Sequence, residues 1–248
     1  MPPTADTSSP EAPAPGAHRT AGPGAVLFDI DGTLVDSNFL HVHAWTQAFA
    51  AAGHPVDAAR IHRSIGMGSS QLLGTLLGDD ADRLGDAVEE GHSDRYAEMT
   101  DLLRAFAGAR ELVQAVAERG AVTVLATSAA PEELERLRAV LDLDDVLDAV
   151  TAAEDVEEAK PEPELVQAAL EKGGVDPRDA VFVGDSVWDV VAAARAGVPC
   201  VGVLTGGTSA AELTEAGAVA VYDDAAHLLS ELDASPLAVT WQPAAAAS

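Results

Sequence analysis

The sequence predicts an α/β fold with a doubly wound parallel sheet and an inserted small α-helical cap. Short β-branched runs alternate with stretches whose apolar residues recur at helical spacing, which is typical of βαβ units. The alternation stops between residues 38 and 101, where the composition is helical and no convincing strand occurs. At 248 residues, with 48% of them hydrophobic, the chain can bury one large core and still carry a second small module.

Five short apolar runs are the predicted strands, and four amphipathic segments between them are the predicted helices of the core. The strands are residues 25–28, 122–125, 181–183, 201–203 and 218–221. The helices carry their apolar faces at Leu112, Val113, Val116 and Ala117; at Leu134, Leu137 and Leu141; at Leu165, Val166, Ala169 and Leu170; and at Val187, Val190, Val191 and Ala194. Glycines end three of these helices, and Pro131 begins the other. We therefore predict a Rossmann-like core of residues 24–37 and 102–234.

Both ends of the chain are expected to lie outside this core. Residues 1–23 are rich in Pro, Ala, Ser and Thr without periodicity, which is typical of a disordered tail, and residues 235–248 are predicted as a C-terminal tail. The first twenty residues contain neither a basic leader nor an apolar segment, so we expect a cytoplasmic protein. Cys200 is the sole cysteine and lies in an apolar run, which favours a core thiol.

Charge restricts the classes of partner. The 41 acidic residues outnumber the 14 Lys and Arg, and the formal net charge is −27. Such a chain repels nucleic acid and anionic membrane surfaces, and no apolar run approaches the ~18 residues that span a bilayer. We therefore expect no nucleic-acid or membrane partner. An anionic substrate would depend on local cations, and the only lysines are Lys160 and Lys172.

Carboxylates and hydroxyls follow several of the predicted strands. Asp29 ends the first strand, and Asp31 emerges on the same side because side chains alternate in extended chain. Thr127 and Ser128 follow the second strand, and Asp185 follows the strand at residues 181–183. Because ligands of open α/β sheets bind at the carboxyl ends of the strands, these groups are predicted to form one site, with residues 38–101 above it as a lid.

The set of residues fits phosphoryl transfer from a phosphate monoester. Asp29 would attack phosphorus, and Asp31 would protonate the leaving oxygen and later activate water. Mg²⁺ prefers oxygen ligands, so Asp29, the backbone carbonyl of Asp31 and Asp185 would bind it. Thr127, Ser128 and Lys160 would bind phosphate oxygens, and Asp189 would orient a metal-bound water or hold the lysine. Each motif alone also has an ordinary interpretation, as a helix cap or as solvated charges at a helix start.

The four motifs, taken in order, resemble those of the haloacid dehalogenase-like hydrolase superfamily, in the subgroup with a small helical cap after the first strand. They are Asp29-Ile30-Asp31-Gly32-Thr33, Thr127-Ser128, Lys160-Pro161 and Gly184-Asp185-Ser186-Val187-Trp188-Asp189, and the resemblance covers about residues 25–232. It implies that Asp29 is the nucleophile, Asp31 the general acid/base and Asp185 a metal ligand. Members that cleave carbon–halogen bonds lack the second carboxylate, so Asp31 disfavours dehalogenation.

The cap resembles that of the phosphoglycolate phosphatase and β-phosphoglucomutase-like branch. His41 matches a histidine that these relatives can bring towards the acid/base. Ser69 stands where the mutase-like loop would carry an arginine, and Arg63, which lies close in the sequence, could substitute for it. Gly184 stands where mutases would place an acidic residue. The cap also contains no lysine, which excludes the Schiff-base chemistry of phosphonoacetaldehyde hydrolases.

These features predict a magnesium-dependent phosphatase for a small soluble metabolite of the phosphoglycolate or sugar-phosphate type. A β-phosphoglucomutase-like mutase is the alternative within the superfamily, and a non-catalytic relative that binds a phosphorylated ligand is the alternative from another class. A receiver domain is disfavoured, because it needs no cap and carries its phosphoacceptor elsewhere. Neither the particular ester nor the oligomeric state follows from the sequence.

Overall fold

The computed structural model describes residues 23–241 of the chain. A parallel six-stranded sheet lies at its centre. The strands are β1 Ala25–Phe28, β2 Val122–Ala126, β3 Ala149–Thr151, β4 Ala180–Gly184, β5 Cys200–Val203 and β6 Ala220–Tyr222. Their order across the sheet is β3-β2-β1-β4-β5-β6.

Helices cover both faces of this sheet and also form the insertion after β1. The insertion contains α1 Asn38–Ala51, α2 Ala58–Ser64, α3 Ser69–Leu77 and α4 Ala81–Ala97. The remaining helices are α5 Ala109–Glu118, α6 Pro131–Leu141, α7 Glu164–Gly173, α8 Val187–Arg195, α9 Ala210–Ala216 and α10 Ala225–Ser230.

The alternation of side chains along β1 explains why the sheet is covered twice. Val26 and Phe28 belong to one hydrophobic cluster, which also contains apolar residues of α5, α6 and α10. Ala25 and Leu27 belong to the cluster on the other face, with residues of α7, α8 and α9. All four side chains are fully buried. The predicted doubly wound, Rossmann-like α/β fold is therefore confirmed.

The four inserted helices have a hydrophobic cluster of their own. Trp45 and Phe49 of α1 pack there with Ile61 of α2, Leu76 of α3 and Val88 of α4. A separate cluster is what an independent small module requires, since each amphipathic helix must bury its apolar stripe against a neighbour. This arrangement supports the predicted cap at residues 38–101, although the domain boundaries themselves stay a prediction.

The structure differs from the predicted elements in three places. The short strand β3 was not predicted, and the last strand is Ala220–Tyr222 rather than residues 218–221. Helix α8 buries Val190, Ala192 and Ala193 while Ala194 is exposed, so its predicted apolar face is wrong in part. The cause is that Asp189, a polar residue, occupies part of the buried face.

The predicted C-terminal tail also needs correction over its first residues. Pro236–Thr240 form a 3₁₀ helix, Leu237 is fully buried, and the Gly24 amide donates to the Thr240 carbonyl at 2.8 Å. Apolar burial attaches this segment to the core. Residues 1–22 and 242–248, which make up the rest of the two predicted tails, lie outside the described residues. Cys200 is buried, as predicted. Among residues 23–241, no helix is long and apolar enough to cross a membrane.

The strand order determines where the site forms. The chain runs from β1 through β2 to β3 on one side of β1, and then crosses to β4, β5 and β6 on the other side, so the strand order reverses between β1 and β4. Such a reversal opens a crevice at the carboxyl ends of the strands. Asp29 follows β1 and Asp185 follows β4, and Phe28 is in register with Val183. The two carboxylates therefore meet at this crevice.

Candidate active site

Asp29 and Lys160 form a buried ion pair at the floor of the site. The Lys160 Nζ lies 2.6 Å from Asp29 Oδ1 and 2.8 Å from Asp189 Oδ1. Only 1% of the Lys160 side chain is exposed. Burial alone would lower the pKa of Lys160, but the two carboxylates raise it above its ordinary value. The lysine is thus charged and held by two acids.

Asp189 is fixed by the local geometry of the helix start. Its Oδ2 accepts hydrogen bonds from the Ser186 amide at 3.0 Å and the Ser186 hydroxyl at 2.6 Å, and its own amide donates to Ser186 Oγ at 3.3 Å. This is a capping box at the N-terminus of α8. With one oxygen in the cap and the other on Lys160, Asp189 holds the lysine.

Burial, together with the charges of Asp189 and Asp31, raises the pKa of Asp29 to about 7 against the lowering effect of Lys160. Burial likewise raises the pKa of Asp185 well above its ordinary value, together with the charges of Asp189 and Asp29. Buried carboxylates in this arrangement lack enough positive charge nearby. A cation at this point would stabilise their ionised forms.

Asp31 sits in a different environment, between the core and the cap. Its Oδ1 accepts from Ser37 Oγ at 2.5 Å and lies 3.5 Å from His41 Nε2. The same His41 nitrogen lies 2.8 Å from Glu133 Oε1 on α6. Burial would raise the pKa of Asp31, but His41 and Ser37 lower it below its ordinary value. Two neighbouring acids, Asp29 and Asp31, thus have pKa values shifted in opposite directions.

His41 is charged because it lies between two carboxylates. Burial alone would lower the pKa of His41, but Glu133 and Asp31 raise it to about 10. The other ring nitrogen lies 3.0 Å from His92 Nε2. Burial and the charge of His41 lower the pKa of His92 to about 2, so His92 is neutral. His41 thus lies next to Asp31, and its role in the reaction stays a prediction.

The acids at the crevice fit a divalent metal. Carboxylate oxygens of Asp29, Asp185 and Asp189 lie within 4.8 Å of one another. Asp189 is already bound by Lys160 and Ser186, which leaves Asp29 and Asp185 as the side chains to hold the ion. Hard oxygen ligands such as these suit Mg²⁺, which also keeps several waters. The donor set therefore fits the metal that the sequence predicts.

Two side chains to which the sequence analysis assigned no role, Thr33 and Asn38, position Asp185. Thr33 Oγ1 donates to Asp185 Oδ1 at 3.1 Å, and Asn38 Nδ2 donates to Asp185 Oδ2 at 2.9 Å. The Asn38 amide also donates to the Gly206 carbonyl at 3.3 Å. A Cβ at position 206 would overlap Asp185 Oδ2, so only glycine lets the loop after β5 approach this closely.

Thr127 and Ser128 lie at the end of β2, on the same side of the sheet as Asp29. The Thr127 hydroxyl accepts a hydrogen bond from the Ala129 amide at 3.0 Å. The Ser128 hydroxyl is buried and has no hydrogen-bond partner among the described residues. A buried hydroxyl without a partner is costly unless a ligand satisfies it. Both residues line the same cavity as Asp29.

A cavity of about 260 Å³ connects these groups to the cap. Asp29, Asp31, His41 and Lys160 lie at its catalytic end, and the loop from Gly66 to Gln71 lines the cap side. Ser69 belongs to this lining. Arg63 does not: its side chain is exposed, and its backbone carbonyl accepts from Trp188 Nε1 at 2.9 Å. The structure therefore brings together all the predicted site residues except Arg63.

The cap rests directly on the loops of the core. His62 Nε2 lies 2.8 Å from the Gly206 carbonyl, and the Gly68 amide donates to the Lys160 carbonyl at 3.1 Å. Gly66 packs so closely against Ser186 that a Cβ at position 66 would lie 2.5 Å from the serine hydroxyl. The cap thus covers the crevice in this conformation and limits the access of water.

The sequence contained a signal for some of the missed residues. Thr33 is the last residue of the first motif, and Ser37 and Asn38 follow it within nine residues of Asp29; polar residues that close to a strand end are candidates for the same site. Glu133 had no such signal. It is one of several acids in α6, and only the position of that helix brings it to His41.

Comparisons with known proteins confirm the family that the sequence motifs resemble. Residues 23–197 match the haloacid dehalogenase-like hydrolase family. A phosphorylated carbohydrates phosphatase of Thermotoga maritima is 34% identical over 203 residues, which are 79% of this chain and 93% of that protein. A phosphoglycolate phosphatase of Rhodospirillum rubrum is 33% identical over 218 residues, 83% of this chain and 89% of the relative.

A solved structure shows the same architecture. The crystal structure of a hydrolase from Pseudomonas syringae aligns with a TM-score of 0.81 and 34% identity, over 85% of this chain and 98% of that one. The family match includes Asp29, Asp31, Lys160 and Asp185, the groups that the fold gathers at one crevice. This chain therefore belongs to the haloacid dehalogenase-like hydrolases and is an enzyme whose named relatives are phosphatases.

Proposed function

We propose that the protein is a magnesium-dependent phosphatase that hydrolyses a small phosphate monoester through an aspartyl-phosphate on Asp29. The observation that carries the proposal is the placement of Asp29. Its carboxylate lies at the end of the cavity, paired with Lys160 at 2.6 Å, and Asp31 lines the same cavity two residues further along the chain. Such a pair provides a nucleophile and a separate acid/base group.

The two carboxylates would act in sequence. Asp29 forms a bond to phosphorus as the bond to the ester oxygen breaks, and that oxygen takes a proton from Asp31. Asp31 then removes a proton from water, which attacks the aspartyl-phosphate and releases Asp29 and inorganic phosphate. The paired His41 and Ser37 hold Asp31 in place for both steps.

Other groups would bind the phosphoryl oxygens. Mg²⁺, held by Asp29, Asp185 and the backbone carbonyl of Asp31, would neutralise negative charge on the phosphoryl group. Lys160 would supply a fixed positive charge, and the hydroxyls of Thr127 and Ser128 would donate hydrogen bonds. The unsatisfied Ser128 hydroxyl in the cavity supports this assignment.

Hydrolysis is favoured over sugar-phosphate isomerisation by two features. Gly184 leaves no room for an acidic side chain, because a Cβ there would lie 2.5 Å from the Asp189 Cβ. Arg63, the one candidate for holding a distal phosphate, is outside the cavity lining. Given β-glucose 1-phosphate and a trace of glucose 1,6-bisphosphate, the enzyme should release phosphate faster than it forms glucose 6-phosphate.

Relatives with 33–34% identity carry the names phosphorylated carbohydrates phosphatase and phosphoglycolate phosphatase, and we propose a small soluble ester of these types for this chain. The cytoplasmic location stays a prediction from the sequence.

Hydrolysis of 4-nitrophenyl phosphate tests the proposal. Asp29→Asn should abolish turnover, because an amide is a poor nucleophile, and excess chelator should do the same to the unchanged enzyme. Asp86→Asn, an exposed position on α4, is the matched control and should retain full activity. Mass spectrometry of the quenched enzyme should find phosphate on Asp29. Undiminished turnover in Asp29→Asn or in chelator would overturn the mechanism.

A further inference from the structure

The two positively charged side chains that line the cavity, Lys160 and His41, are both already paired with carboxylates. Lys160 lies between Asp29 and Asp189, within 2.8 Å of both. His41 lies between Asp31 and Glu133, at 3.5 and 2.8 Å. Each cation thus already has two carboxylate partners. Neither cation is therefore free to pair with a second anionic group of a substrate, in addition to its phosphate.

The outer end of the cavity carries negative charge instead. Glu89 of α4 and Glu157, in the segment before Lys160, belong to its lining. Ser69 Oγ donates a hydrogen bond to Glu89 Oε1, which turns this carboxylate towards the loop that begins α3. Among residues 23–241, no arginine lines the cavity. His92, which does line it, is neutral.

From this distribution of charge we infer that Glu89 and Glu157 select the substrate by the charge of its organic part. Esters whose organic part is neutral or carries an ammonium group fit the outer cavity, and esters with a second anion are disfavoured. This inference rests on the proposed phosphatase function and narrows it, because a carboxylate-bearing ester such as phosphoglycolate falls in the disfavoured group.

Coulomb interactions and solvation both support this selectivity. A second anion would lose water on entering the cavity, find no free cation, and face two carboxylates. An ammonium group would find opposite charges at the same positions. Hydroxyl groups of a neutral polyol would meet Ser70, Gln71 and Ser93, which also line this end and can donate or accept hydrogen bonds. The specificity thus follows from what the outer cavity offers.

A matched set of esters tests the inference. α-Glucose 1-phosphate, α-glucosamine 1-phosphate and α-glucuronic acid 1-phosphate share one ring; relative to the glucose ester, the second carries an ammonium group at C2 and the third a carboxylate at C6. We expect kcat/KM for the glucuronic acid ester to be about tenfold below that of the glucose ester, and the glucosamine ester to equal or exceed the glucose ester. Because both glutamates are exposed, the differences should shrink in 0.5 M KCl. Equal or faster hydrolysis of the glucuronic acid ester overturns the inference.

Reversing the charge of Glu89 tests whether this residue causes the selectivity for the charge of the substrate. Glu89→Arg should bring the glucuronic acid ester to within about twofold of the glucose ester or above it. The control is Glu90→Arg, the next residue of the same helix, which is exposed and outside the cavity lining and should leave the ratio unchanged. An unchanged ratio in Glu89→Arg overturns the assignment.

A failure of the phosphatase proposal can be distinguished from a failure of the charge selectivity. If neither these esters nor 4-nitrophenyl phosphate is hydrolysed in magnesium, the phosphatase proposal fails. The dissociation constants of the three sugar esters, measured by calorimetry in the same buffer, then decide the charge selectivity. Weaker binding of the glucuronic acid ester supports it, and equal or tighter binding overturns it.

Discussion

Replacing Lys160 with methionine should destabilise the protein as well as inactivate it. The side chain is 1% exposed, and its partners Asp29 and Asp189 are 3% and 0% exposed. Methionine fills a similar volume without charge, so the change leaves two buried carboxylates with no cation. Breaking a buried ion pair from one side typically costs about 3 to 5 kcal/mol. Asp29, whose pKa is already about 7, can take up a proton, so we expect the lower end of this range.

Urea unfolding followed by circular dichroism measures this loss. With a slope of about 3 kcal/mol per molar urea, a 3 kcal/mol loss lowers the midpoint by about 1 M at pH 8. The control is Lys172→Met, because Lys172 is 39% exposed and pairs with Asp155 at 2.7 Å. Exposed pairs contribute about 0 to 1 kcal/mol, so its midpoint should barely move. In the activity assay, Lys160→Met should lower kcat by ~100-fold or more, and Lys172→Met should not.

The pH dependence of the loss has a defined sign. The pKa of Lys160 is raised in the folded protein, so its contribution is fully present below the ordinary value of 10.5 and disappears only at higher pH. Between pH 8 and 5 the difference in stability therefore comes from the buried acids that lack a cation in the variant. Asp29, whose pKa is about 7, takes up a proton in this range, so the deficit of Lys160→Met should shrink. Adding Asp189→Asn to the variant should restore part of the stability. A loss below about 1 kcal/mol, or a further loss in the double variant, would refute the reasoning.

Two further substitutions probe the supports of the site. Glu133→Gln removes one of the two carboxylates beside His41, so kcat should fall about tenfold with KM nearly unchanged. The alkaline limb of the pH profile should move to lower pH, because His41 then loses its proton more easily. Glu132→Gln, at the exposed neighbouring position, should change neither kcat nor the pH profile. Gly184→Ala should destabilise the fold by about 2 kcal/mol because the new Cβ would lie 2.5 Å from the Asp189 Cβ, whereas Gly74→Ala, in an open helical position, should stabilise it by up to about 1 kcal/mol. Equal shifts of the melting temperature in the two variants would contradict this packing argument.

The local pattern of apolar residues in the sequence was sufficient to predict most strands and helices of the core. The strands at residues 25–28 and 181–183 are short apolar runs buried on both sides, and such runs have few alternatives in an alternating α/β sequence. Strand β3 has only three residues, and its neighbours give no turn signal, so nothing in the sequence distinguished it from a loop. The segment at Pro236–Thr240 was missed because its burial depends on a contact with Gly24, more than 200 residues away in the chain.

The candidate site could be predicted where chain geometry alone brings residues together. Asp29 and Asp185 end parallel strands, and parallel strands place their carboxyl ends at one edge. Glu133 and Glu89 could not be found this way, because both are acids on amphipathic helices with other acids nearby. Which of several similar side chains faces the cavity depends on how each helix is placed against the sheet, and a single sequence does not contain that placement.

The contacts of Asn38 bear on how this enzyme could be recombined with its relatives. Asn38 is the first residue of α1, yet its side chain holds Asp185 and the loop at Gly206, and His41, one turn later, holds Asp31. The first turn of the cap is therefore chemically part of the core. A chimera that receives a foreign cap from residue 38 onward would exchange these supports along with the substrate-facing surface. A junction placed after His41 would keep Asn38 beside Asp185 and His41 beside Asp31 while it exchanges the substrate-facing surface of the cap.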